Sequence, residues 1–320
     1  MITLKDVTAA QDRIQGVVLH TPLVPLYDDS SDHPLYLKAE NLQPVGAFKL
    51  RGAYNKIASL TAEEKSFGVI AFSSGNHAQG VAYAARALGV KATIVMPAIA
   101  PELKKARTRN LGAQIIELSE GSEEDWRVAA EEMAQERGYV MVPPFDDELI
   151  IAGAATTGLE ICEELPDVGL VLAPIGGGGL LSGMAAAIKL KGSKAKVVGV
   201  EPELASDAFA SFQRGEIVEF ELAKTRQTIA DGMRATRIGS LNFEYIKTFV
   251  DDMVTVSERE IVEAMRRIVC DARLVVEPSG AVAAAAWLFH RDQLSTSTPS
   301  VAVVSGGNVE PDFLTKILSE

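Results

Sequence analysis

Short apolar runs alternate along this chain with longer stretches whose apolar residues recur every three or four positions. "FGVIAF" (67–72), "KATIVMP" (91–97) and "AQIIEL" (113–118) are short and rich in β-branched and apolar side chains, a pattern that predicts buried strands. Helical spacing follows them in "HAQGVAYAARALG" (77–89), "PELKKARTRNLG" (101–112) and "SEEDWRVAAEEMAQERG" (122–138). Gly89 and Gly112 stand where a helix stops, and Ser122 with its acidic neighbours where one starts. A second series begins at "GLVLAPI" (169–175), a strand, followed by a helix in "LLSGMAAAIKLKG" (180–192) and a strand in "AKVVGVEP" (195–202). "PSVAVVSGGN" (299–308) reads as a strand entering a glycine turn. Strands alternating with helices imply parallel sheets covered on both faces. Two such series predict two α/β domains, with a boundary near Pro143–Asp147.

Composition narrows the partners. The 320 residues suffice for one large domain or two ordinary ones. A net charge of -12 repels phosphate backbones, so nucleic acid is not an expected partner. The two cysteines, Cys162 and Cys270, lie in no paired motif and the four histidines are scattered, which argues against a zinc site. So few cysteines suit a reducing cytoplasm. The N-terminus carries no apolar signal core. From Gly169 to Ile188 no charge occurs for 20 positions, close to a membrane span in length. Pro174 and six glycines divide that stretch into strand, loop and helix. It is therefore expected to be buried core, and the protein to be soluble and cytoplasmic, with no membrane partner.

In open parallel sheets, ligands bind at the carboxyl ends of strands. Three loops fall there: "SSGNHAQG" (73–80), "GGGG" (176–179) and "SGGN" (305–308). Bare amides at a helix N-terminus attract an anion, and four glycines favour a phosphate over a plain turn. No Gly-Lys-Ser/Thr follows, so this is not a nucleotide P-loop. Leu181 and Ser182 break the dinucleotide pattern, although Glu201 ends the next strand where a ribose-binding acid would stand. A nucleotide-binding dehydrogenase stays open as an alternative. Lys49 lies between Phe48 and Leu50 in "NLQPVGAFKLRGAYNKI" (41–57). Apolar neighbours ease loss of its proton and make it a candidate nucleophile. A lysine able to form a Schiff base, with a phosphate cradle elsewhere, suggests pyridoxal phosphate.

"GAFKLRGA", "SSGNHAQG", "GGGGLLSG", "VEPSGAVAAAA" and "SGGN" occur in an order and spacing that resemble the pyridoxal-phosphate enzymes of the tryptophan-synthase β fold, known as fold type II. The closest branch is similar to the serine/threonine dehydratases and serine racemases, from about Thr21 to Asn308. The resemblance implies two domains, each a mostly parallel twisted sheet flanked by helices, with the active site between them. Residues 1–58 and 147–320 would form the larger and 59–146 the smaller. It implies that Lys49 carries the cofactor, that Gly176, Gly177, Gly178 and Gly179 hold its phosphate, and that Phe48 lies against its ring. Asn76 would bond the 3′-oxygen and Ser305 face the pyridine nitrogen. Ser73, Ser74, Gly75, Asn76 and His77 would receive the substrate carboxylate, and Ser74 would be the acid or base opposite Lys49. Glu201 and Asp207 are hard oxygen ligands flanking the Ala205 carbonyl in sequence. They match a family site for a divalent cation: Mg²⁺, Mn²⁺ or Ca²⁺.

The activity implied is β-elimination from a 3-hydroxy amino acid such as L-serine or L-threonine, giving a 2-oxo acid and ammonia. Serine racemisation, 3-hydroxyaspartate dehydration and, in a different class, a non-catalytic binding protein on the same scaffold are the alternatives. Members are commonly homodimers or homotetramers. Taken singly, Ser73 and Ser74 could cap a helix, Asn76 could sit in a turn, and Glu277 could open an ordinary helix. Departures from the family pattern are Ala47 before Phe48, and Ala154 and Ala155 in "GAAT" (153–156), where substrate size or domain closure is expected to differ. Asp125 falls where some racemases carry an arginine, with Arg127 nearby. Arg234 and Arg237 in "ADGMRATRIGSLN" (230–242) are either solvated charges or a sign of an acidic substrate. No extra regulatory domain is expected, and hence no feedback inhibition through one.

Overall fold

The structure, a computed structural model, describes residues 1–27, 35–100, 102–119, 123–294 and 298–319. Its chain runs α1 (Leu4–Ile14), β1 (Leu23–Leu26), β2 (Leu35–Ala39), α2 (Lys49–Ala58), α3 (Ala62–Phe67), β3 (Val69–Phe72), α4 (Asn76–Ala87), β4 (Ala92–Pro97), α5 (Glu102–Asn110), β5 (Gln114–Leu118), α6 (Glu123–Arg137), β6 (Val140–Met141) and α7 (Glu148–Glu164). It continues through β7 (Leu170–Pro174), α8 (Gly179–Leu190), β8 (Lys196–Pro202), α9 (Asp207–Arg214), α10 (Leu222–Thr225), α11 (Ser240–Phe249), β9 (Asp252–Val256), α12 (Glu258–Asp271), α13 (Pro278–Phe289), β10 (Ser300–Val304) and α14 (Pro311–Ser319). Every strand and helix expected from the periodicity is present, with ends shifted by one or two residues. The helix starts expected at Pro101 and Ser122 lie outside the described residues. Phe67 is a correction: it closes α3 rather than opening a strand, because Gly68 at φ 95° turns the chain before Val69.

Two sheets form. The smaller has the order β5-β4-β3-β6 and is parallel throughout. The larger has the order β1-β2-β10-β7-β8-β9, parallel except for the edge pair β1 and β2. Alternation along the strands divides the smaller core. Val69, Ala71, Ile94 and Met96 pack toward α2 and α4, and Ile70, Phe72 and Val95 toward α6. In the larger sheet, Leu172, Val198 and Ala302 pack toward α12 and α13. Val171, Val197 and Val301 pack toward α8 and α11.

This topology selects the functional end. In the smaller sheet the chain steps from β3 out to β4 and β5, then returns to β6 on the other side of β3. In the larger it steps from β7 out to β8 and β9, then returns to β10 on the other side of β7. Each reversal opens a crevice at the carboxyl ends of the strands. The loops there are 73–75 after β3, 175–178 after β7 and 305–310 after β10. Among the described residues, no helix is long and apolar enough to cross a membrane.

Beneath α2 lies a buried ionic cluster that the periodicity did not foretell. Arg51 is fully buried and reaches Glu40 at 2.7 Å and Glu160 at 2.6 Å. Burial opposes the charge on Glu40, but the Arg51 guanidinium beside it holds the carboxyl below its usual range. Removing one partner from such a cluster costs about 3–5 kcal/mol. The cluster clamps α2 to α7 and so fixes the helix that begins at Lys49.

Candidate active site

Residues from all three loops line one cleft of about 220 Å³, together with Phe48, Lys49, Pro144, Phe145 and Glu277. That volume is slightly below the roughly 300–1,000 Å³ of common small-molecule sites. It suits a small cofactor with a small substrate and excludes a folded macromolecule. Phe48 N–H donates to the Ser305 carbonyl at 3.0 Å, and Ala47 bridges Gly306. Residues 257 positions apart in sequence are thereby stitched together. Lys49 Nζ donates to the Pro144 carbonyl at 2.7 Å and lies 5.1 Å from the Phe48 ring centroid.

Of the helices whose N-termini reach the cleft, α4 and α8 start on glycine caps. For α4 the cap is Gly75, with no side-chain cap, and Ser73 Oγ accepts instead from Gly75 N–H at 3.2 Å. The capping role open to Ser73 and Ser74 is thus not used, and the first amides of α4 carry the helix dipole's positive end without a side-chain acceptor. For α8 the cap is Gly178, left-handed at φ 102°, again with no side-chain cap. The glycine run has a second reason besides bare amides. A Cβ on Gly177 would come within 2.3 Å of the Phe145 ring, and one on Gly178 within 2.7 Å of Asn242 Cβ. Close packing against Phe145 and Asn242 demands glycine at these two positions. No phosphate is needed to explain those two positions.

Asn76, at the start of α4, is fixed from both sides. Its Nδ2 donates to Glu277 Oε1 at 2.6 Å, and its Oδ1 accepts from Asn308 Nδ2 at 2.8 Å. Glu277 is the cap residue of α13, but its carboxylate makes no capping bond and turns into the cleft. Burial first, and the charge of Asp231 second, push its carboxyl up to about 7. Ser305 is buried, and its hydroxyl donates to the Ser279 carbonyl at 3.3 Å. The His77 side chain is buried behind the loop, with Nε2 2.8 Å from the Val142 carbonyl. Burial and the neighbouring Lys49 charge push its imidazole down to about 3. It is neutral at physiological pH, which leaves its helix-end amide as the group offered to a ligand.

Other expectations are redirected. Arg234 lines the cleft but turns Nε and Nη2 onto the Thr228 carbonyl, at 3.0 and 2.7 Å. Arg237 bonds Ser240 and does not line the cleft. Ala154 and Ala155 are buried within α7, away from the lining, so they do not bear on substrate size by contact. Trp126 of α6 lines the cleft, whereas Asp125 and Arg127 do not. Lys104, Asp231 and Glu277 are lining residues that sequence reasoning missed as site members. A lone Lys or Asp in a polar helix or loop carries no pattern to mark it.

Glu201 and Asp207 come together away from the cleft, at the end of β8 and the start of α9, with Ala205 between them in the chain. Glu201 accepts from the Ala208 and Phe209 amides at 3.2 and 2.7 Å. Both Asp207 oxygens are buried with no hydrogen-bond partner. Burial and the adjacent Asp207 charge push Glu201 well above its usual range, and burial pushes Asp207 up to about 7. Two adjacent buried acids, one of them with both oxygens unpartnered, fit a hard divalent cation. A second acidic cluster, His20, Glu160 and Glu164, already surrounds the Lys38 ammonium, 2.8 Å from Glu160 and 2.7 Å from Glu164.

Comparison with known proteins agrees with this geometry. The family model described as pyridoxal-phosphate dependent enzyme matches residues 14–306. The chain is 45% identical to an L-threonine ammonia-lyase of Thermotoga maritima, over 100% of this chain and 79% of that protein. It is 41% identical to an L-threo-3-hydroxyaspartate ammonia-lyase of Saccharomyces cerevisiae, over 96% of this chain and 94% of that protein. A solved serine racemase from Dictyostelium discoideum superposes with a TM-score of 0.90 at 36% identity, over 97% of this chain and 99% of that one.

Proposed function

Since this chain belongs to the pyridoxal-phosphate dependent enzymes, we propose that it is an ammonia-lyase, converting a 3-hydroxy amino acid such as L-threonine or L-serine to a 2-oxo acid and ammonia. The observation that carries this reading is Lys49 in a cleft shared with two helix N-termini that no side chain caps. Relatives named for ammonia-lyase activity on hydroxy amino acids support the substrate class. Residues 59–146 would form the lobe carrying the substrate loop, and residues 1–58 with 147–320 the lobe carrying the cofactor.

The residues present fit the cofactor. Lys49 Nζ would hold it covalently, the Gly176 to Gly179 amides its phosphate, Asn76 its 3′-oxygen and Ser305 its ring nitrogen, with Phe48 against the ring. When bound, pyridoxal phosphate supplies an electron-withdrawing ring that makes the substrate α-proton acidic. The first amides of α4, with Ser73 and Ser74, orient the substrate carboxylate. Lys49 Nζ, when not bonded to the cofactor, would serve as the general base for the α-proton. Ser305 offers a neutral hydroxyl, which does not hold a ring nitrogen protonated as a carboxylate would. That favours prompt loss of the β-hydroxyl over amino transfer. Glu201, Asp207 and the Ala205 carbonyl would hold Mg²⁺, Mn²⁺ or Ca²⁺ outside the cleft, as a structural support.

Racemisation is the second reading, favoured by Ser74 lining the same cleft as Lys49 and by the likeness to a serine racemase. One experiment separates these. Protein saturated with pyridoxal phosphate should show a visible absorption band that Lys49→Ala removes. A panel of serine, threonine and 3-hydroxyaspartate stereoisomers is then assayed for 2-oxo acid and for inverted enantiomer. Absence of the band in the saturated wild type overturns the reading. A band with inversion but no 2-oxo acid replaces it by the racemase.

A further inference from the structure

The chemistry above leaves several charged groups of the cleft without a task. Among the described residues that line it, the ionisable ones are Lys49, His77, Lys104, Asp231, Arg234 and Glu277. Lys49 is committed to the reaction. His77 is neutral, Glu277 holds Asn76, and Arg234 spends two donors on the Thr228 carbonyl. Lys104 differs from all of these. It stands in the first turn of α5, beside the smaller sheet, and reaches Asp231 in the 230–242 loop of the larger sheet's side, at 2.7 Å. Both side chains keep contact with solvent, 19% exposed for Lys104 and 43% for Asp231. The pair can therefore open without stranding a buried charge.

We propose that the Lys104–Asp231 pair is a specificity determinant that biases the cleft toward hydroxy amino acids with uncharged side chains. The proposal rests on the ammonia-lyase reading and names the substrate class within it. The α-carboxylate already has its place at the N-terminus of α4. A substrate with a second carboxylate, such as 3-hydroxyaspartate, needs one more cation. Arg234 is tethered through Nε and Nη2 to the Thr228 carbonyl, so its other donors meet an acidic group only from that fixed place. The Lys104 charge is already balanced by Asp231, whose like charge faces the incoming carboxylate. Serine and threonine carry no second carboxylate and meet no such repulsion. Discrimination of this kind comes from repulsion of the wrong ligand rather than added attraction for the right one.

The test uses cofactor-saturated wild type, Asp231→Asn, and Asp231→Asn combined with Lys104→Met. The readout is the ratio of kcat/KM for L-threo-3-hydroxyaspartate to that for L-threonine, so partial loss of folded protein cancels within each variant. Asp231→Asn should raise this ratio roughly tenfold or more, since it removes a unit charge close to the acidic group in a partly screened site. Adding Lys104→Met should abolish the gain. Dissociation constants for L-aspartate and L-alanine, which lack a β-hydroxyl and are followed by the visible spectrum of the bound cofactor, should shift the same way. A ratio that stays put in Asp231→Asn, or a gain that survives Lys104→Met, overturns the proposal. Wild type that turns over neither hydroxy amino acid defeats the ammonia-lyase reading instead, and the binding ratio still decides the pair.

Discussion

Replacing Glu277 by Gln should change how the stability of the cofactor-free protein depends on pH. Glu277 is 4% exposed, and its carboxylate accepts from Asn76 Nδ2 at 2.6 Å. Burial, and then the nearby Asp231 charge, raise it from 4.5 to about 7 in the folded chain. In the unfolded chain it titrates near its ordinary value. Between those two values the folded state binds the extra proton, so stability falls as pH rises. The fall is complete above about pH 8. The rise from 4.5 to about 7, at about 1.36 kcal/mol per pH unit, amounts to roughly 3 kcal/mol, most of it lost between pH 5 and 8. Glutamine does not titrate, and any hydrogen bond its amide fails to make is a constant offset. The measurement is urea unfolding of wild type and Glu277→Gln at several pH values across that window. The difference in unfolding free energy should move in favour of the variant by about 2–3 kcal/mol. A difference that is flat with pH would refute the reasoning, because it would mean that the Asn76 bond outweighs burial and keeps the carboxylate ionised.

Three further outcomes follow from other parts of the molecule. Arg51→Ala leaves Glu40 buried without its ion-pair partner, and Glu160 with Lys38 alone, and should cost about 3–5 kcal/mol in urea unfolding. A loss under about 1 kcal/mol would indicate that water reaches those carboxylates freely. Mg²⁺ should raise the melting temperature of the wild type and leave that of Asp207→Asn unmoved, because both Asp207 oxygens lie unpartnered beside Glu201. An equal rise in both would remove the cation from this site. Arg273 has φ 60° just beyond α12, where Leu274 N–H closes back on the Ile268 carbonyl. Arg273→Gly should therefore stabilise by up to about 1 kcal/mol, measured by urea midpoint. A loss of stability would show that the arginine side chain contributes more than its backbone conformation costs.

The sequence by itself determined the order of strands and helices and hence two parallel sheets, because burial on both faces forces apolar runs that alternation with amphipathic helices makes visible. It also marked Lys49, the 73–77 loop, the glycine run and Ser305, since a lysine among apolar residues and glycines after strands violate local expectation. Their being one site was decided by topology. Both sheets reverse direction, which sets the loops after β3, β7 and β10 around one crevice. The bond from Phe48 N–H to the Ser305 carbonyl is a long-range contact with no local signature. Glu277 read as a helix start because its neighbour is Pro278, and only the fold turned its carboxylate onto Asn76. The glycine run was legible as a bare backbone, but the Phe145 ring packed against Gly177 was not. Lys104 and Asp231, 127 positions apart, are ordinary surface charges in sequence, and they became a pair across the cleft only when the two sheets came together. Local pattern encodes which backbone must be buried or bare; which distant side chain meets it is settled by packing.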